Sequence, residues 1–465
     1  MYLERLRLEH VRLFEEDEIS FVDAAGAPRM FTVILAENGF AKTTLLQAIA
    51  LAASGVGGAN KLASNAASFF DKRWTPPPEA IGKSEDYCWI FAEFRPSTRC
   101  HLRREYPSLP APLAHPPLLR SNLFAPFEWK QFQGSSGYSL DASKQPPMES
   151  IRAKDLPYWF VAGYGASRTL PVPQPPTEPG NRSIDRLQSL FRPSPLIATG
   201  FMDVLERQFG DDIASDYART LRDVLVGAEE LPGILPRHGA LRVEDVELRD
   251  SGGARGSGDL VEAERFLLRF GDAEEVKIPA VWLSAGYQST IAWIADLIGQ
   301  VALDAGAVIP PAEMEGLVLI DEIDLHLHPR WQTSLVPALR KTFPRLQFIA
   351  TTHSPMILPG LAPHEVLLLR ADSRGSVRAE FPEDDPRMLT AAQLYREFFG
   401  VQDLFPTPVG NRLRRFGLLA GIAERTDTEE AELHALLGAL RSDGIDPGPF
   451  ERRRALKAEP EQEPG

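Results

Sequence analysis

Hydrophobic and polar positions alternate at the start of the chain. Leu3, Leu6 and Leu8, then Val11, Leu13 and Phe14, then Ile19 and Phe21 are separated by charged residues. Period-two patterning of this kind predicts an antiparallel pair of strands. Residues 30–35 (MFTVIL) form a short apolar run of β formers and predict a buried strand, and residues 43–53 predict a helix with no breaker. Further strands are predicted at 87–94 (YCWIFAEF), 158–162, 316–320 (GLVLI), 346–350 (LQFIA) and 366–369, the last followed by a hairpin. Helices are predicted over 183–230, 283–303, 330–343 and most of the chain beyond 386. Residues 241–281 predict a β-rich return with a glycine-rich hairpin, Ser251 to Gly258. Wholly apolar strands alternating with helices imply a parallel sheet covered on both faces.

Composition narrows the picture. The chain has 465 residues, 43% hydrophobic and 25% charged, the profile of a folded protein with two or three structural units. A net charge of −14 argues against indiscriminate coating of nucleic acid or membrane. The basic clusters Arg412, Arg414 and Arg415, and Arg452, Arg453, Arg454 and Lys457, are read as solvated helix faces, with contact to DNA or an acidic partner as the other reading. The two cysteines, Cys88 and Cys100, have no metal-type spacing and imply no disulfide framework. No apolar run approaches the ~20 residues that span a bilayer. The first residues resemble no secretory signal, so a cytoplasmic protein without membrane contact is expected. The proline-rich stretch LPVPQPPTEPG and the charged tail EPEQEPG read as loop and disorder. No heptad array is present.

Four motifs carry chemistry. Residues 35–44 (LAENGFAKTT) sit between a predicted strand and a predicted helix. In that setting successive backbone N–H groups and a helix N-terminus face phosphate, Lys42 adds a point charge, and Thr43 offers a hydroxyl to Mg²⁺. Ala36 and Ala41 stand where the common phosphate-loop pattern has glycine, and alanine tolerates a positive φ poorly. Residues 282–288 (WLSAGYQ) place Ser284 at the start of a helix, where it also suits an N-cap. Residues 317–322 (LVLIDE) end an apolar strand in two acids. Asp321 suits Mg²⁺ and Glu322 suits a general base for water. Residues 348–355 (FIATTHSP) deliver His353 at the end of the next buried strand.

These motifs, in this order, resemble the ABC-type ATPase heads of the RecF, SMC and OLD group. Residues 1–55 and 280–370 carry the resemblance, and the middle matches only loosely. DEIDLHLHP followed by TTHSP is similar to stand-alone heads of bacterial defence and DNA-repair systems. The glycine turn 163–168 (GYGASR) and residues 393–400 (QLYREFFG) resemble elements of Septu-type defence ATPases. The resemblance implies an α/β fold: a P-loop NTPase head of ABC type with an antiparallel β lobe, a helical insertion and a helical C-terminal appendage. It implies ATP and Mg²⁺ as cofactors. Arg12, Asn38, Gly39, Ala41, Lys42, Thr43 and Thr44 would bind nucleotide within one chain. Ser284, Gly286 and Gln288 would grip the γ-phosphate held by an opposing subunit. Thr43 and Asp321 would hold the metal, with Glu322 and His353 catalytic. Arg12 occupies the position of an arginine that reaches a phosphate in relatives, with a solvated edge-strand arginine as the equal alternative. Arg168 is open between approaching the nucleotide and a structural turn. His328 stands where many relatives have an aspartate. Gln131 and Gln133 are candidates for the Q-loop glutamine, with no flank that decides.

The expected division is 1–75 for the phosphate-loop half, 76–280 for the β lobe and insertion, 281–385 for the second half of the head, and 386–465 for the appendage. No nuclease signature follows the head, and Asp443 and Asp446 read as turn formers. The leading expectation is an ATPase that forms a homodimer around ATP and gates a separate effector, such as a nuclease, in phage defence. A RecF-like repair ATPase that binds DNA and a weakly hydrolysing nucleotide-binding scaffold are the alternatives.

Overall fold

The computed structural model describes residues 1–37, 39, 41–73, 87–97, 118–126, 129–134, 160–168, 170, 182–194, 196–228, 231–236, 243–248, 266–270, 276–401, 407–422 and 425–445. The chain divides into two compact units, Met1–Leu394 and Tyr395–Gly465.

The first unit is built on two main sheets. Strands β1 (Tyr2–Val11) and β2 (Phe14–Ser20) pair antiparallel, with Leu6 opposite Ile19 and Val11 opposite Phe14. β4 (Tyr87–Arg95), β5 (Leu119–Pro126) and the short β6 (Gln133–Gly134) extend this sheet in the order β2-β1-β4-β5-β6. The step from Leu3 to Leu6 breaks the alternation, yet both are buried. A register shift against β4 between Leu3 and Arg5 explains this: an extra residue returns the following side chains to the core face.

The second sheet has six strands. β7 (Val161–Tyr164), β11 (Gly316–Ile320), β12 (Leu346–Thr351), β3 (Phe31–Leu35) and β13 (Val366–Ala371) run parallel, and β14 (Val377–Glu380) closes the far edge antiparallel. Every residue of β3, β11 and β12 is buried, which is why their sequences are apolar without alternation. Gln347, a polar residue of β12, is fully buried and accepts from Leu3 N (2.6 Å) while donating to the Leu3 and Arg29 carbonyls (3.0 Å each). This side chain ties the antiparallel lobe to the parallel sheet through satisfied bonds.

Helix α1 (Lys42–Leu62) follows β3 and packs against both sheets. It runs beyond the expected end at Ala53 because the chain breaks helical geometry at Gly55 (φ 62°, ψ 178°) and then resumes it. The expected helical region after 183 resolves into α2 (Phe201–Phe209) and α3 (Asp211–Val226), separated by Gly210. β8 (Val243–Leu248), β9 (Phe266–Phe270) and β10 (Val276–Pro279) form a separate antiparallel sheet. The hairpin Ser251 to Gly258, the stretch LPVPQPPTEPG and the C-terminal tail lie outside the described residues. α4 (Ala285–Ala305) is buried along almost its whole length, and α5 (Pro329–Thr342) joins β11 to β12.

α6 (Ala391–Phe399) crosses the division between the units. Within the second unit α7 (Thr407–Gly421) and α8 (Asp427–Ser442) pair around Phe416, Leu437 and Leu440. Thr426 and Glu429 cap α8 reciprocally. The basic residues of α7 are engaged within this unit: Arg415 with Glu432 at 2.6 Å, Arg412 with Asp443 at 2.8 Å, and Arg414 with Asn411 at 2.7 Å. Asp443 is the C-cap of α8, whereas Asp446, Cys100 and the basic run from Arg452 lie outside the described residues. Cys88 is buried, and burial pushes its thiol up to about 12. Among the described residues no helix is long and apolar enough to cross a membrane.

Candidate functional site

The loop between β3 and α1 holds the first group of predicted residues. Gly39 has φ 85° and Ala41 has φ 54°. Ala41 therefore adopts the left-handed conformation that glycine would take without strain. Asn38 lies outside the described residues, as does Phe40. Lys42 is buried, and its Nζ donates to the Ala36 carbonyl at 2.8 Å and the Glu37 carbonyl at 3.3 Å. Burial pushes its ammonium below the ordinary lysine value, opposed by Asp321, Glu322 and Asp324.

The acid pair leaves the end of β11 beside this loop. Asp321 is buried and accepts two hydroxyl bonds, from Thr43 Oγ1 to Oδ2 at 2.8 Å and from Thr351 Oγ1 to Oδ1 at 2.6 Å. Glu322 has φ 49°, and its N–H donates to Thr351 Oγ1 at 2.7 Å. Thr351 thus fixes both acids from the neighbouring strand. One step further, the Thr352 hydroxyl donates to Asp324 and accepts from Ser354 N at 2.9 Å. Ser354 Oγ donates to Gln332 Oε1 at 2.5 Å. The exposed imidazole of His353 projects from between these two anchored residues.

Arg12 sits at the other side of the phosphate loop with φ 49°. Its Nη1 donates to Thr44 Oγ1 at 2.9 Å and Gln47 Oε1 at 3.2 Å, and its guanidinium lies 4.4 Å from the centre of the Phe69 ring. Desolvation lowers its pKa from the ordinary arginine value. The residue is fixed to the first turns of α1 rather than solvated on an edge strand. An open cleft of about 420 Å³ lies here, lined by Arg12, Gly39, Ala41, Thr44, Phe70 and Lys72 among others.

The second group gathers at the start of α4. Ser284 is the N-cap residue but makes no side-chain capping bond, and it is exposed. The capping role open in the sequence is therefore not taken by its hydroxyl. Gly286 packs so closely on the His326 carbonyl that a Cβ would collide with it. Gln288 Nε2 donates to the Leu283 carbonyl at 2.8 Å. Among the described residues the contacts of this group run to its own helix start and to the loop after the acid pair. The Tyr287 and Trp331 rings, 5.0 Å apart, brace the same junction. His328 caps α5, accepting from Arg330 N at 3.3 Å.

Neither Q-loop candidate is beside the acid pair. Gln133 pairs with Phe124 at the edge of the antiparallel sheet, and Gln131 is exposed. The strand next to β11 is β7, and the loop leaving it carries Gly165 to Arg168. β7 was expected at 158–162 and begins at Val161; residues 158 and 159 lie outside the described residues. Gly163, which looks like a turn residue, belongs to the strand because the Leu190 side chain fills the space of its missing Cβ. Arg168 is buried and binds protein oxygens, not an open cleft. Thr351 was not singled out by sequence reasoning; the adjoining Thr-Thr before His353 is the signal that would have found it.

The loop before α1, the acid pair after β11, His353 after β12 and residues 284–288 at the start of α4 thus lie on the elements that the sequence motifs predict. Residues 178–358 match the family profile described as "AAA domain, putative AbiEii toxin, Type IV TA system". That match includes the signature, the acid pair and the histidine, and the phosphate loop lies before it. The chain is 41% identical over 99 residues to the retron Ec83 probable ATPase of Escherichia coli, covering 21% of this chain and 18% of that protein. It is 36% identical over 159 residues to the Septu protein PtuA of Bacillus mycoides, covering 34% of this chain and 22% of that protein. The chain thus spans about a fifth of the length of these two relatives. Among solved structures, the SMC head bound to the C-winged helix domain of ScpA aligns over 82% of this chain and 97% of that chain, with 13% identity and a TM-score of 0.48.

Proposed function

We propose that this chain binds ATP with Mg²⁺ between two copies of itself, hydrolyses it, and uses the cycle to gate a separate effector in phage defence. The observation that carries the reading is the meeting of Thr43 with Asp321 beside Lys42.

The donor set fits the cofactors. A hydroxyl and a carboxylate at hydrogen-bond distance are hard oxygen ligands of the kind Mg²⁺ takes alongside nucleotide phosphates. When bound, the metal would neutralise charge on the β- and γ-phosphate oxygens. Lys42 already holds its ammonium against the loop carbonyls and would exchange them for phosphate oxygens. Backbone N–H groups of the loop and the start of α1 would cradle the same phosphates, with Gly39, Ala41, Thr44 and Asn38 as the loop contacts. Arg12 would face the nucleotide from the cleft side.

Glu322 would act as general base toward the attacking water, and His353 would contact the γ-phosphate region. Ser284, Gly286 and Gln288 would engage nucleotide held by the second copy; the exposure of Ser284, whose side chain makes no capping bond, supports that role. The similarity to retron and Septu proteins supports the defence setting, and a cytoplasmic site of action with a nuclease as effector is part of the same proposal. The strained Ala41 favours slow turnover. The ion pairs that engage the basic residues of α7 leave the DNA-binding alternative without support from that cluster.

Phosphate release from ATP with Mg²⁺, in wild type and Lys42→Ala, tests the reading. Turnover in wild type that is lost in the variant is expected. Equal release from both proteins, or none from wild type, would overturn it.

A further inference from the structure

Arg168 is 2% exposed, in the loop after β7. Its Nη1 donates to the carbonyls of Gly165 (3.1 Å) and Asp321, its Nη2 to the carbonyl of Glu322 (2.6 Å), and its Nε to Ser289 Oγ (3.2 Å). All four acceptors are neutral oxygens. Burying a guanidinium is costly unless its donors are paired, and here four N–H bonds meet that need. Burial holds its pKa down at about 10, against the pull of Asp321, Glu322 and Asp324. Plain packing at this point would not call for a charge.

The acceptors belong to three separate elements. Asp321 and Glu322 present consecutive carbonyls to one fork, across the left-handed residue Glu322. The Glu322 N–H is fixed by Thr351 and its carbonyl by Arg168, so this strained turn is held at both ends. Ser289 lies in the first turns of α4, just beyond the signature residues Ser284 to Gln288. The loop that carries Arg168 is itself anchored: Gly165 N donates to Ser189 Oγ at 3.2 Å, and that hydroxyl donates to the Gly163 carbonyl at 2.7 Å.

The geometry points to Arg168 as a positioning residue that couples the signature end of α4 to the turn orienting Glu322. This rests on the ATPase reading above and adds to it a route within one chain. A second copy's nucleotide engaging the start of α4 would bear on Ser289, and through the rigid guanidinium fork on the carbonyls of both acids. Among the described residues the partners of Arg168 are all protein oxygens, so it acts through other groups. A lysine would keep the charge but lose the fork.

The test is steady-state ATP hydrolysis by wild type, Ser289→Ala, Ser289→Thr and Arg168→Lys, with melting temperature and fluorescent-nucleotide affinity measured alongside. Ser289→Ala removes only the bond to α4. Its kcat is expected to fall about tenfold, the scale of one hydrogen bond to a charged group. KM, nucleotide affinity and melting temperature should stay at wild-type values. Ser289→Thr, which keeps the hydroxyl, should restore kcat, and Arg168→Lys should lower it further. If Arg168→Lys does not fold, the Ser289 pair decides. Wild-type kcat in Ser289→Ala, or a loss that follows melting temperature and affinity, would overturn the coupling while leaving the ATPase reading standing. Absence of hydrolysis in wild type would remove the ATPase reading and the coupling with it.

Discussion

Thr43 and Asp321 stand 278 residues apart in sequence, and the Thr43 hydroxyl donates a 2.8 Å hydrogen bond to Asp321 Oδ2. One residue lies in the first turn of α1, and the other follows the last residue of β11. Their strands, β3 and β11, each pair with β12, which sets the two ends side by side. The other Asp321 oxygen is held by Thr351, the last residue of β12. The metal-type oxygens are therefore fixed by the register of three parallel strands.

Replacing Asp321 with Asn should leave nucleotide binding without Mg²⁺ near wild type and lower kcat by about a hundredfold or more, the scale expected when a metal-positioning carboxylate is lost. Phosphate release titrated with Mg²⁺ checks this. Wild-type turnover and Mg²⁺ dependence in Asp321→Asn would place the metal elsewhere.

Ala41→Gly should stabilise the protein by about 1 kcal/mol, because glycine takes the left-handed conformation without the cost alanine bears there. Urea unfolding reads the difference. A variant less stable than wild type would mean that the alanine methyl contributes packing that outweighs the strain.

At Gly286 the added methyl of Ala would strike the His326 carbonyl. Either the helix start or the following loop must move, at a cost of roughly 1–3 kcal/mol for overpacking. Gly286→Ala should melt lower and lose ATP-driven association, while a fluorescent nucleotide still binds the phosphate loop. Retained association would show that this approach can relax without consequence.

Asp296, buried in α4, accepts bonds from the Ile197 and Ala198 backbone N–H groups at 3.0 and 3.3 Å and from the Tyr164 hydroxyl at 3.3 Å. Burial raises its pKa from 3.8 to about 6, against the lowering effect of those bonds. The folded carboxyl therefore keeps its proton at pH values where the unfolded one has lost it. Stability from this group is complete below about pH 4 and is lost as pH rises through about 6. The unfolding free energy of wild type minus that of Asp296→Asn should fall by about 3 kcal/mol between pH 4 and pH 7. Urea unfolding across that range decides it; a difference that does not change with pH would contradict the sign.

The sequence made the chemistry-bearing strands legible because β3, β11 and β12 are buried on both faces and so read as unbroken apolar runs. Each ends at a chemical landmark, the phosphate loop, the acid pair or His353. The left-handed Ala41 was visible as an alanine in a glycine position. Arg168 was visible as a residue but its role was not. Its partners are mostly backbone carbonyls, which leave no trace in side-chain pattern. The bulge after Leu3, the break at Gly55 and the strand position of Gly163 depend on neighbours far along the chain, and local periodicity does not report them.

The account turns on ATP joining two copies until Glu322 hydrolyses it. Light scattering of Glu322→Gln with and without ATP and Mg²⁺ tests that most directly. The account predicts a monomer without nucleotide and a lasting dimer with it, abolished by adding Lys42→Ala. A Glu322→Gln protein that stays monomeric at saturating ATP would contradict it.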